Sequence, residues 1–413
     1  MSFCRGDSGM VDITVEIAGL KFKNPIMNAA CPISRDGKAL EELAAGGAGG
    51  IVSKTIGVVP AKVPRPHMGV VNRGQLTVLT PVKRDGKLET KITRIRGAYY
   101  GFLNAELWTD LPPEQWFEKE LPYARRVAER YGIPLLASIG YKAHELAELG
   151  PKAVKAGAQG VEFSTHYLGH DYTPVVESAK ALREAVDVPI FPKLSPHIWG
   201  LKDLVRELEK VGVDGIVAIN TLGPALHIDI ETGRPIMGGP HGHGWLSGPA
   251  LKPVGIATVA EIAKVTKLPI IGVGGISQPE DVIEYIMAGA SAVQVCTQAI
   301  VEGPKVFRRL AEGVATWLKE HGYTSLEDIR GKALKYLTDL AGWYEIRNPV
   351  VDESKCIGCA LCEQSCIYDA VHVQEINGRK VAVVDKSKCY GCGLCTTLCP
   401  TRAIHFPEDY WPK

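Results

Sequence analysis

Between residues 25 and 296, short apolar runs alternate with stretches of helical periodicity. The runs occupy residues 25–30, 50–54, 134–139, 160–164, 188–193, 215–220, 269–273 and 292–296. Helical spacing of apolar residues occurs between them, at 114–131, 144–156, 173–185, 201–211, 254–265 and 279–287. Short apolar runs alternating with helices predict a parallel sheet covered by helices. Eight such units in succession predict an α/β fold, a TIM (β/α)8 barrel. A doubly wound sheet is the competing arrangement, but eight buried strands in sequence favour closure.

Two long segments interrupt the alternation. Residues 58–112 are rich in Pro, Gly and basic residues, and residues 221–250 are rich in Gly and His. Segments at the carboxyl ends of barrel strands build substrate pockets. Alternation over 12–22, broken at Ala18-Gly19, predicts a small hairpin ahead of the barrel. The expected organisation is a flexible leader over 1–10, the barrel over 11–323, a linker arm over 324–349 and a small domain over 350–413.

That small domain holds eight cysteines in two matching runs. The first comprises Cys356, Cys359, Cys362 and Cys366, and the second Cys389, Cys392, Cys395 and Cys399 followed by Pro400. The spacing is that of two-cluster ferredoxins, in which the fourth cysteine of each run ligates the other cluster. One 4Fe–4S cluster is therefore assigned to Cys356, Cys359, Cys362 and Cys399, and the other to Cys389, Cys392, Cys395 and Cys366. Zinc knuckles would use pairs rather than four cysteines spaced alike twice, and disulfides set no such spacing. Cys366 is followed by Ile367 rather than proline, which leaves ligation untouched.

Cluster ligands plus the scattered thiols Cys4, Cys31 and Cys296 point to a reducing, cytoplasmic location. Residues 1–10 lack the apolar core of a signal peptide, and no run approaches the ~18 apolar residues of a membrane span. A net charge of +1 gives no electrostatic case for nucleic acid or an anionic membrane.

Reactive residues collect where barrel strands end. Strand two ends in Ser53-Lys54-Thr55, strand five in Lys193-Leu194-Ser195-Pro196, strand six in Asn220-Thr221 and strand eight in Gln294-Val295-Cys296-Thr297. Glycines 272, 274 and 275 after strand seven would let backbone N–H groups approach a phosphate. Two lysines ending buried strands need partners. A reduced flavin, negative around N1 and O2, is one such partner, and a structural carboxylate is the alternative. The pair His241 and His243 resembles a metal site but has no third ligand in view, so a pocket-lining or surface loop is favoured.

These motifs carry a resemblance. Lys54-Thr55, the segments 102–106 and 191–196, Ile219-Asn220-Thr221, Ser247-Gly248 and Gly274-Gly275 look like the dihydroorotate and dihydropyrimidine dehydrogenase superfamily. Barrel plus C-terminal ferredoxin resembles the FMN/iron–sulfur subunit of bacterial NAD-dependent dihydropyrimidine dehydrogenase. By that resemblance Ala29, Ala30, Lys54, Thr55, Asn104, Lys193, Asn220, Ser247, Gly248, Gly274, Gly275, Cys296 and Thr297 surround FMN. Asn104, Glu106, Glu162, Ser164, Asn220 and Thr221 would face the substrate. Electrons would pass from the clusters to FMN and then, as hydride, to a conjugated C=C, the nearest class being pyrimidine to 5,6-dihydropyrimidine. No Rossmann Gly-x-Gly-x-x-Gly unit follows a strand. A separate FAD- and NAD(P)H-binding donor subunit is therefore expected, as is an oligomer.

One segment departs from the pattern. Family members that reduce uracil carry Asn-x-Ser-Cys-Pro after strand four, the cysteine being the acid. Here Glu162 stands in the asparagine slot and Thr165 in the cysteine slot, and only Ser164 matches. A threonine hydroxyl is a far weaker acid than a thiol of pKa about 8.5. His166, Tyr167, His170 and Asp171 on the same loop include better acids near neutral pH. Thr165, His166 and Lys193 are the catalytic candidates. The same chemistry on a different cyclic or carbonyl-conjugated alkene is the second reading, and an electron-transfer subunit without substrate chemistry is the third.

Overall fold

The computed structural model describes residues 11–410 apart from 72–73, 85–86, 165–169, 197, 240 and 338–345, with the backbone alone over 74–84 and 87–98. It divides into two compact units, one of residues up to 72 with 99–334, the other of 73–98 with 335 onward.

The first unit is an eight-stranded parallel barrel. Its strands, one to eight, are Ile26–Asn28, Ile51–Val52, Leu135–Ile139, Gly160–Ser164, Ile190–Leu194, Ile216–Ala218, Ile270–Val273 and Ala292–Val295. Each pairs with its sequence neighbour from strand two to strand eight, and strand eight returns to strand one. The seam between strands one and two carries one parallel bridge, Met27 to Gly50. Asn28 completes it with its side chain. Its Oδ1 accepts from Val52 N at 3.0 Å and its Nδ2 donates to Val52 O at 2.7 Å, replacing ladder bonds that the short second strand cannot supply.

Helices cover the outside because their apolar residues recur every three or four positions. Leu204, Val205 and Leu208 are fully buried on the helix Leu201–Val211, which starts after Gly200 and stops at Gly212, both left-handed. Strand alternation sorts side chains between the two faces. On strand four, Val161 and Phe163 pack outward with the helices, while Glu162 and Ser164 point inward. Inside, Met27, Val52, Leu136, Phe191, Val217, Ile271 and Ala292 form an apolar layer. The hairpin Val15–Ile17 with Leu20–Phe22 adds Ile17 and Phe22 to that layer. Its turn has positive φ at Ala18 and Gly19, as a two-residue hairpin loop requires.

The insertion contributes strands Met68–Val71 and Gly101–Asn104. These join Gly244–Ser247 and Leu222–Ala225 from the later long segment in a four-stranded antiparallel sheet. Gly74–Arg84 pairs antiparallel with Lys87–Ala98, and both strands fall in the second unit.

The C-terminal part of the second unit is internally repeated. Positive φ occurs at Gly358, Ala360 and Asp369 and again at Gly391, Gly393 and Arg402, each pair 33 residues apart, as are Cys356 and Cys389. The short helices Leu361–Gln364 and Leu394–Leu398 follow the left-handed Ala360 and Gly393. A hairpin, Val371–Ile376 with Arg379–Val384, turns at Asn377-Gly378. No helix among the described residues is long and apolar enough to cross a membrane.

Candidate active site

Above the apolar layer the barrel interior becomes polar and opens into a cavity of about 1070 Å³. Lys193 on strand five, Glu162 on strand four and Gln294 on strand eight form its floor, and all three are buried. Lys193 Nζ donates to Glu162 Oε1 at 3.3 Å and to Gln294 Oε1 at 3.1 Å. Gln294 Nε2 donates to the other oxygen of Glu162, which closes a triangle. Both buried lysines therefore have carboxylate partners, since Lys54 Nζ reaches Glu106 Oε2 at 2.6 Å.

One wall is built to meet an anion. Gly274 and Gly275, just past strand seven, have φ of +127° and +71°. A Cβ on Gly275 would lie 2.6 Å from Lys252 N and 2.9 Å from Gly248 O. The Tyr285 hydroxyl, which burial pushes up, holds this turn by donating to Gly274 O at 2.8 Å. Gly274 N, Gly275 N and Thr297 N donate to no acceptor among the described residues. Thr297 Oγ1 donates to Ser247 Oγ at 2.9 Å. N–H groups free among the described residues around a glycine turn suit a phosphate, and a lysine with one N–H to spare among those residues suits a flavin ring.

On the opposite wall, Asn104 Nδ2 donates to Trp245 O at 2.9 Å, and Asn220 Nδ2 donates to Ser164 Oγ at 3.0 Å. Ala29, Ala30, Thr55, Thr221, Gly248 and Cys296 also line the cavity, so it gathers all the expected flavin and substrate residues outside the strand-four loop. Thr165, His166 and Tyr167 lie outside the described residues. His170 and Asp171 are exposed. The sequence alone does not single out Tyr141, which lines the cavity, or the partnering of the lysines by Glu106, Glu162 and Gln294. Cys31, one of the scattered thiols, lines it as well, and its thiol together with burial pushes the Cys296 thiol well up.

In the second unit, Cys356, Cys359, Cys362 and Cys399 line one cavity of about 360 Å³. Cys366, Cys389, Cys392 and Cys395 line another of about 340 Å³. Each foursome contains three cysteines of one run and the last of the other. Main-chain donors point at the sulfurs: Ala370 N to Cys366 Sγ at 3.3 Å, and Ala403 N to Cys399 Sγ at 3.2 Å, 33 residues apart. Among the described residues, no three His, Cys, Asp or Glu side chains converge tightly enough for a single ion. Thiols spread around a void suit a cluster. Burial and neighbouring cysteines push Cys362 and Cys395 up to about 11.

Comparison with known proteins agrees. Residues 166–318 match the family model for dihydroorotate dehydrogenase, and residues 349–406 match that for a 4Fe-4S dicluster domain. The chain is 34% identical over 332 residues to the catalytic subunit of dihydroorotate dehydrogenase B (NAD(+)) of Pyrococcus abyssi, covering 78% of this chain and 99% of that protein. The subunit of the same name from Methanocaldococcus jannaschii is 33% identical, covering 78% of this chain and 98% of its own length. The chain belongs to the dihydroorotate dehydrogenase family.

That membership corrects the resemblance drawn from sequence to the bacterial dihydropyrimidine dehydrogenase subunit. The motifs behind it, at barrel strand ends and on the four-stranded antiparallel sheet, resemble the superfamily that includes both enzyme types, so they do not separate them. As a member of the dihydroorotate dehydrogenase family with a dicluster domain, the chain is an oxidoreductase of CH–CH groups that carries FMN and two 4Fe–4S clusters. Its chemistry is that of the family, on a cyclic, carbonyl-conjugated alkene.

Proposed function

We propose that the chain interconverts a cyclic carbonyl-conjugated alkene and its dihydro form, with the orotate and dihydroorotate couple as the first candidate. The observation that carries this reading is the cavity itself, in which two lysines, Asn104 and Asn220 meet below a glycine turn with free N–H groups. The archaeal relatives' name supplies the candidate couple. Bound FMN supplies hydride transfer to the ring and one-electron exchange with the clusters. Gly274, Gly275 and Thr297 hold its phosphate. Lys193 donates to its ring, and Asn104, Asn220 and Thr221 orient the substrate through amide and hydroxyl groups. The strand-four loop supplies the proton, with His166 the donor and Thr165 orienting it. The two groups of four cysteines each ligate one cluster.

The relatives are named as catalytic subunits. We infer a separate FAD- and NAD(P)H-binding donor for this chain too, in a cytoplasmic complex. The test is anaerobic turnover with reduced viologen as electron source and orotate, uracil and a non-pyrimidine cyclic enone as acceptors. Orotate reduction supports the candidate couple. Reduction of another ring alone keeps the chemistry and replaces the substrate, and no reduction of any acceptor by flavin-loaded enzyme overturns the reading. His166→Ala should abolish ring reduction while leaving cluster-to-flavin transfer intact.

A further inference from the structure

A lysine beside a flavin ring normally adds positive charge that stabilises the anionic reduced form. In this barrel the lysine is not alone. Glu162 has no exposed surface, Gln294 is 1% exposed and Lys193 is 5% exposed, so their charges interact with little solvent screening. Both Glu162 oxygens accept hydrogen bonds, one from Lys193 and one from Gln294. Two of the three Lys193 N–H groups are thereby taken, and the ammonium lies 3.3 Å from a carboxylate oxygen. The local charge is zero rather than +1.

We propose that Glu162 is a positioning residue that lowers the reduction potential of FMN through Lys193. The proposal rests on the reading that Lys193 faces the flavin ring. Glu162 orients the ammonium so that its remaining N–H meets the ring, and it cancels most of the charge that would favour the anionic reduced flavin. Gln294 fixes the carboxylate by donating to its second oxygen. A buried Glu–Gln–Lys triangle spanning strands four, five and eight also explains why a carboxylate is tolerated in the slot assigned by resemblance to asparagine. An asparagine there would leave the lysine charge uncancelled. A lower flavin potential increases the driving force for hydride to leave for the substrate ring.

The test is an anaerobic potentiometric titration of the holoenzyme, with flavin followed by fluorescence and clusters by electron paramagnetic resonance. Glu162→Gln should raise the flavin potential. At fixed ambient potential the ratio of reduced to oxidised flavin should grow at least tenfold, about 30 mV for a two-electron couple. Glu162→Asp should keep the potential near that of the parent. Gln294→Glu places a second carboxylate beside the lysine and should lower the potential; it keeps the proposal open to refutation if Glu162→Gln loses flavin. Lys193→Met separates this proposal from the reading beneath it. A flavin potential unmoved in Lys193→Met overturns the placement of Lys193 at the ring. A potential that moves in Lys193→Met but not in Glu162→Gln or Gln294→Glu overturns the role of Glu162. Cluster potentials should be unchanged in every variant.

Discussion

Lys54 Nζ lies 2.6 Å from Glu106 Oε2, tying the end of barrel strand two to the chain that leaves the insertion. The other oxygen of Glu106 lies 2.6 Å from His67 Nε2. His67 Nδ1 is 3.0 Å from the Arg65 guanidinium, which can only donate, so Nδ1 accepts and Nε2 carries the proton to Glu106. The insertion thus reaches the cavity through a chain of polar contacts from Arg65 to Lys54.

This relationship predicts strong coupling. Glu106→Gln alone strands a buried ammonium and should destabilise the barrel by about 3 kcal/mol, the low end for a broken buried pair. Lys54→Met alone strands the carboxylate, although His67 remains to donate to it. The double variant should cost less than the sum of the two, with an interaction energy above about 1 kcal/mol in a thermal or denaturant cycle. Simple additivity would show that the contact contributes nothing.

The glycine turn gives a second expectation. Gly275 has φ of +71°, and an added Cβ would meet main-chain atoms of Lys252 and Gly248, neither of which can swing away. Gly275→Ala should therefore lower the flavin content severalfold while iron content stays at the parent level. Measuring both on one sample checks this, because a globally misfolded chain would lose iron as well.

Much of the barrel could be read from sequence, and the reasons are local. The helices Thr173–Ala185, Leu201–Val211 and Pro279–Met287 begin and end as the periodicity predicts, helped by Pro174, by Gly200 and Gly212, and by Pro279. The strand-end residues Lys54, Lys193 and Asn220 were legible because barrel chemistry sits at carboxyl ends, whereas Asn104 came only with the family resemblance. Their partners were not. Glu106 is 52 residues from Lys54, and Gln294 is 101 residues from Lys193, so no spacing rule connects them. The pairing of Gly101–Asn104 with Gly244–Ser247 is hidden for the same reason, since it joins two irregular segments that carry no shared periodicity.

Asp281 makes barrel stability depend on acid. Burial alone would raise its carboxyl, but Lys252 and the N–H groups of Gln278 and Ser277 outweigh that and hold it below the ordinary value. Its Oδ2 accepts from Ser277 N and Gln278 N at 2.8 Å, capping the helix Pro279–Met287. A depressed folded pKa contributes stability above the unfolded value of about 3.9, and that stability is lost as pH falls through the lower folded value. Asp281→Asn should lower stability near pH 7 by about 1 kcal/mol, a typical cap loss. The deficit should shrink below about pH 4, where the parent loses the same contribution. Tryptophan fluorescence during denaturant unfolding at each pH checks the sign; a deficit that grows in acid would refute it.

Cys366 sits ten residues past Cys356 in sequence, yet it lines the cavity of Cys389, Cys392 and Cys395. Cys399 in turn lines the cavity of the first run. Cys366→Ser should therefore perturb the cluster held by the second run, and Cys399→Ser the cluster held by the first. Each variant should lose up to half of the roughly eight irons that two 4Fe–4S clusters supply. Counting iron alone cannot tell the two apart, so each is combined with loss of a first-run ligand through Cys359→Ala. If the ligands cross over, Cys399→Ser with Cys359→Ala strikes one cluster twice and leaves about four irons. Cys366→Ser with Cys359→Ala strikes both and leaves few. The reverse pattern would mean that each run holds its own cluster. Assembly should also release protons at pH 8, because Cys362 and Cys395, pushed up to about 11 by burial, bind iron as thiolates.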